Sequence, residues 1–113
     1  MMSFDELPEF QKELERLSRK YKSLLDDVKE FSSVISAVPL GNSKHFNIIT
    51  QVEDLYIIKA RLFCKYLKGS SLRVIYAYFE QDQRVEFVEL YYKGDKINED
   101  RDRIRKYLKT FEK

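Results

Sequence analysis

Near Leu55 the apolar residues of this chain change their spacing, and that change limits the fold more than any other feature. Before it they repeat at helical intervals. After it they fall in runs with strand character. Phe10, Leu14, Leu17 and Tyr21 follow one another at 4, 3 and 4, as one face of an α-helix does. Leu24, Val28, Phe31 and Ile35 repeat the same intervals. Pro8 suits a first helical turn, where a missing N–H does no harm. Ser23, with Asp26 three residues on, reads as an approximate capping box between the two helices. So tight a connection predicts an antiparallel hairpin, ended by Pro39 and Gly41.

From Leu55 onwards "LYIIKARLFC", "LRVIYAYFE" and "RVEFVELYY" read as three strands rich in aromatic and β-branched residues. "LKGSS" and "QDQ" separate them, and links this short require antiparallel neighbours. After the turn "KGDK", Asn98 is the expected cap of a last helix carrying Ile104, Tyr107, Leu108 and Phe111. Residues 40–53 show no clean period and read as loop, although "FNIIT" has strand character. The expected architecture is α+β in a single domain spanning 1–113. A helix hairpin packs on one face of a small, mainly antiparallel twisted sheet, and a C-terminal helix follows. The other sheet face is then partly open to solvent.

The charges are unevenly divided along this order. Residues 1–55 hold 7 Lys/Arg against 10 Asp/Glu, whereas residues 56–113 hold 14 against 9. A basic half suits an anionic partner such as nucleic acid. No apolar run approaches the ~20 residues of a membrane helix, and "MMSFDELPEF" lacks the features of a signal peptide. The cytoplasm is the expected compartment. One histidine, His45, and one cysteine, Cys64, argue against a zinc site. His45 reads as an inert loop residue and Cys64 as packing. With three glycines there is no phosphate-binding glycine loop. No cofactor is expected.

Cations and phenols on strands remain. Lys59 and Arg61 lie two apart, so they share a sheet face. Arg73, Tyr91, Tyr92, Lys93 and Lys96 fall on or beside the same predicted sheet. Such groups stabilise charge on phosphoryl oxygens, and a crowded lysine or a tyrosine can carry a proton. Alternatively they are solvated residues whose stems cover apolar surface. Strand parity does not decide which of Tyr91 and Tyr92 joins Lys59 and Arg61.

The stretch "IIKARLFCKYLKGSSLRVIYAYF", followed by "VEFVELYYKGDKINEDRDRIRKYL" and preceded by "LPEFQKELERL", resembles the RelE/ParE superfamily of toxins over roughly residues 7–108. The resemblance implies the toxin of a type II toxin–antitoxin pair, which a cognate antitoxin protein wraps and neutralises. It implies cleavage of mRNA in the ribosomal A site by 2′-OH attack on the adjacent phosphate, without a metal. Lys59, Arg61, Arg73, Tyr91, Tyr92 and Lys93 match the catalytic positions. Lys65, Lys68 and Lys96 are the further candidates for RNA contact. ParE-like members inhibit DNA gyrase instead and cut no RNA. Members of the superfamily normally begin with a strand, and here only "MMSF" precedes the first helix, so that strand is expected to be absent or very short. The last-strand cluster also lacks the histidine or arginine found in well-studied nucleases.

Overall fold

A computed structural model describes residues 1–41 and 44–111. The elements run β1 (Ser3–Glu6), α1 (Pro8–Lys20), α2 (Leu24–Ala37), β2 (Phe46–Val52), β3 (Leu55–Cys64), β4 (Gly69–Phe79), β5 (Arg84–Tyr92) and α3 (Arg101–Lys109). They form one five-stranded sheet in the order β1-β5-β4-β3-β2. The hairpin α1–α2 covers one face. α3 covers part of the other.

The helical stripes bury as their spacing requires. Phe10, Leu17, Tyr21, Leu24, Phe31 and Ile35 pack with Ile58, Leu62, Leu72, Tyr76 and Phe87 of the sheet. Aromatic rings fill the centre: Phe87 lies 5.0 Å from Phe10 and 6.4 Å from Tyr76, centroid to centroid. The buried Tyr76 hydroxyl donates to the Pro39 carbonyl at 2.6 Å, which ties the end of the hairpin to the core. Tyr76→Phe removes this bond and strands that carbonyl, so a loss of about 1 kcal/mol is expected in denaturant unfolding.

Two expectations need correction, and a third is narrowed. Residues 46–52 are not loop; they form β2, antiparallel to β3, with an irregular register between Ile48 and Thr50. The strand before the hairpin, expected to be absent or very short, is present as the four-residue β1; it runs parallel to β5, so the mainly antiparallel sheet is mixed. Within "LKGSS" the strand β4 already begins at Gly69. Two caps also differ in detail. Ser23 precedes α2, but its hydroxyl donates to Asp27, not Asp26, at 2.7 Å, and accepts from the Tyr66 amide at 2.8 Å. That arrangement ties the β3–β4 turn to the hairpin. Asp100, not Asn98, caps α3 by accepting from the Arg103 amide at 3.0 Å.

One irregularity decides which way the site residues point. Ile75 faces Glu89 and Tyr76 faces Phe87, so Val88 is an extra residue in β5. A bulge of this kind breaks strict alternation. Val85 and Phe87 face the hairpin, and beyond the bulge Leu90 does so as well. Val88 packs instead under α3, beside Ile57, Ile75, Ala77, Ile104 and Tyr107.

Beyond β1, the outer edge of β5 needs other partners. The Leu90 amide donates to Glu13 Oε1 of α1 at 3.0 Å. The Val88 carbonyl accepts from Arg103 Nη1 of α3 at 2.9 Å. Glu13 and Arg103 meet each other in two hydrogen bonds, of 3.0 and 2.9 Å. This pair closes an edge that would otherwise present free backbone groups, and it fastens α3 to α1 around the strand.

Candidate functional site

α3 covers the apolar part of its sheet face and leaves the rest open. On the open part, cross-strand register aligns Arg61, Arg73 and Tyr91 in one row and Lys59, Ile75 and Glu89 in the next. Lys59, Arg61, Arg73 and Lys93 line a cleft of about 500 Å³ together with Lys44, His45, Asn47, Ile97 and Asn98. Among the described residues no Asp or Glu lines it, so the lining carries a net positive charge.

The cations are held differently. Arg73 is buried, with Nη1 donating to the Ser70 carbonyl at 2.5 Å and the Leu72 carbonyl at 3.1 Å. Burial lowers its pKa, and the neighbouring Arg61 charge lowers it further. A guanidinium stays charged even so. Arg61 and Lys93 are exposed. Lys59 Nζ donates to Glu99 Oε1 at 3.0 Å.

The bulge settles the tyrosines. Tyr91 lies opposite Arg73 on the cleft side. Tyr92 turns to the hairpin, its ring 5.7 Å from that of Tyr21. Tyr91 is buried under the Lys96 ammonium, 5.1 Å from the ring centroid. Among the described residues no group meets ordinary hydrogen-bond geometry with its hydroxyl, although the Lys59 ammonium is near enough to act on it as a donor. Burial pushes the phenol up, against the pull of the Lys59 charge and with the push of Glu99.

The remaining candidates lie elsewhere. Lys96 is paired with Glu89. Lys65 points to α2, 2.6 Å from Glu30, and that carboxylate raises its pKa. Lys68 is exposed in the β3–β4 turn at φ +53°. Neither Lys65 nor Lys68 lines the cleft.

Sequence reasoning passed over two groups of residues here. Lys44, His45 and Asn47 enter the cleft because β2 lies beside β3, and reading 40–53 as loop hid them. The carboxylates Glu89 and Glu99 sit behind the cations. Glu89 is fully buried; it accepts from Lys96 Nζ and from the Asp100 amide, the latter at 2.8 Å. Burial raises the Glu99 pKa, but the Lys59 hydrogen bond, its own amide, and the Lys59 and Arg101 charges outweigh this and hold it below the usual value. A depressed carboxylate stabilises the fold above its unfolded pKa, and the contribution fades as pH falls through the folded value. Glu99 should thus stay ionised through the ordinary Glu range, roughly pH 4–5. A side-chain carbonyl NMR titration would follow it, and a midpoint at or above the ordinary Glu value of about 4.3 would contradict the assignment.

No family model matches the chain, and no curated protein matches it. Among solved structures it is similar to a chain of the archaeal RelE–RelB complex from Pyrococcus horikoshii OT3. The two share 20% identity at a TM-score of 0.64, over 84% of this chain and 98% of that one. The fold is therefore RelE-like.

Proposed function

We propose that this protein is the toxin of a type II toxin–antitoxin pair and that it cleaves mRNA in the ribosomal A site. The observation that carries this reading is the cleft: Lys59, Arg61, Arg73 and Lys93 line it on a RelE-like sheet, with no acid lining it among the described residues. An antitoxin is the proposed protein partner, in keeping with the RelE–RelB complex that the fold resembles.

The proposed reaction is an internal transfer. The 2′-oxygen attacks the adjacent phosphorus as its proton leaves. The bond to the 5′-oxygen breaks, and that oxygen takes up a proton. The products are a 2′,3′-cyclic phosphate and a 5′-hydroxyl. Because RNA supplies the nucleophile, the protein's task is to place the phosphate and stabilise its growing charge. Arg73, fixed by two carbonyls, is the pre-oriented donor, and Arg61 and Lys93 hold the strand from the rim. His45, the chain's single histidine, also lines the cleft.

A second reading is a non-catalytic member, either a ParE-like gyrase inhibitor or a protein that only binds antitoxin. It is favoured by the engagement of Lys59 with Glu99 and the burial of Tyr91. Ribosomes programmed with a defined mRNA, incubated with purified protein, test the two. Fragments ending in 2′,3′-cyclic phosphate, cut within the A-site codon, are expected. Intact mRNA together with inhibited gyrase supercoiling would support the second reading instead.

A further inference from the structure

Residues 93–100 leave β5, turn back at Gly94 and pass alongside the cleft before α3 begins. A Cβ at Gly94 would run into the Tyr92 ring, which would have to move to admit a side chain there. Two ion pairs of opposite sense hold this strap. Its Lys96 reaches the sheet's Glu89, and the sheet's Lys59 reaches its Glu99. Apolar packing contributes little at its middle, where Ile97 is 80% exposed.

The two pairs are not equivalent. Glu89 is fully buried and also accepts the Asp100 amide at the start of α3, so it is an anchor. Glu99 binds a lysine that itself lines the cleft. A carboxylate and a phosphodiester offer an ammonium the same thing, anionic oxygens that accept charge-assisted hydrogen bonds. We infer that Glu99 is a resident stand-in for phosphate: RNA entering the cleft displaces it from Lys59, and the strap is a gate that masks this phosphate subsite until then. This rests on the proposed RNA-binding reading of the cleft. Lys59 also acts on the buried Tyr91 phenol, so an exchange of its partner would be felt there.

Binding of a 2′-O-methylated ribo-oligonucleotide, which lacks the nucleophile, tests the gate on the full chain. A ligand that must first displace an occupant loses affinity by the fraction of time the site is free, so Glu99→Gln should bind roughly tenfold more tightly. In a Lys59→Gln background the same change should have no effect, since the masked group is gone. Glu15→Gln removes one negative charge from exposed α1 and should leave binding unchanged. Equal tightening by Glu15→Gln, or by Glu99→Gln with and without Lys59, would overturn the gate in favour of a general charge effect. Unchanged affinity in Glu99→Gln alongside clear binding by the unmodified protein would overturn the gate and leave the RNA reading standing. No binding by any form would overturn the RNA reading and the gate with it. The Glu99 carboxyl resonance of the unmodified protein supplies a readout that needs no variant. It should move on oligonucleotide addition, and a fixed resonance at saturation would contradict displacement.

Discussion

Arg73→Ala is expected to lower mRNA cleavage by roughly 10²–10³-fold, the loss typical of removing one preorganised donor from a developing oxyanion. Arg73 occupies the central strand, between Arg61 and Tyr91. Its guanidinium is already fixed by the Ser70 and Leu72 carbonyls, so little reorganisation is needed when charge grows on the phosphate. The burial that fixes it also strengthens its field, because fewer water molecules screen it. Arg73→Lys keeps the charge but not the planar fork, and should recover only part of the rate. Arg61→Ala, at an exposed position, should weaken RNA binding more than turnover. Single-turnover cleavage of mRNA on programmed ribosomes separates these effects. A rate for Arg73→Ala within threefold of the unmodified protein would remove Arg73 from the site. Unchanged near-ultraviolet circular dichroism would show that the variant remains folded.

The largest stability effect is expected at the edge of β5. Glu13→Ala leaves the Arg103 guanidinium without its carboxylate and the Leu90 amide without an acceptor. Both side chains of the pair are 17% exposed. Breaking a largely buried pair from one side typically costs 3–5 kcal/mol, and partial exposure places this one near the lower end, at about 3 kcal/mol. Burial lowers the Arg103 pKa, but the Glu13 hydrogen bonds and charge outweigh it and raise it overall, as expected for a cation that depends on this partner. Arg103→Ala should cost a similar amount. The double variant should lose much less than the sum, because each single change leaves a buried partner unsatisfied. Urea unfolding measures all three, and simple additivity would show that the two side chains act independently. Since the pair joins α3 to α1, amide exchange in α3 should quicken in either single variant.

Much of this architecture was legible because it is local. The stripes 10/14/17/21 and 24/28/31/35 are set by helical pitch and needed no partner to be read. The three strands from Leu55 follow from their composition and short turns. What could not be read depends on distant pairing. "SFDE" has no strand character of its own, and β1 exists because its backbone bonds to β5. β2 lies at the opposite edge, with Ile48 and Val52 half-exposed and an irregular register, so its pattern never alternates cleanly. The bulge at Val88 reverses the parity of everything after it, which is why alternation alone could not choose between Tyr91 and Tyr92.

The site divides in the same way. Lys59, Arg61 and Arg73 were visible as cations in apolar strands, and the register brings them to one cleft. Their acidic partners were not. Glu99 lies 40 positions from Lys59 in sequence, and in "KINED" nothing distinguishes it from an ordinary charge in a helix's first turn. Lys65 and Lys68 looked equivalent to Lys59 by charge. They differ because the turn that carries them lies beyond the cleft, tied to the hairpin by Ser23 and Asp27, with Lys65 paired to Glu30.

The central claim is that this cleft cuts translated mRNA. Primer-extension mapping of cellular transcripts after induced expression tests it most directly, with the unmodified chain beside Arg73→Ala. The account predicts new 5′ ends inside translated codons that vanish in the variant. Growth arrest without such ends, or identical ends from both proteins, would contradict it.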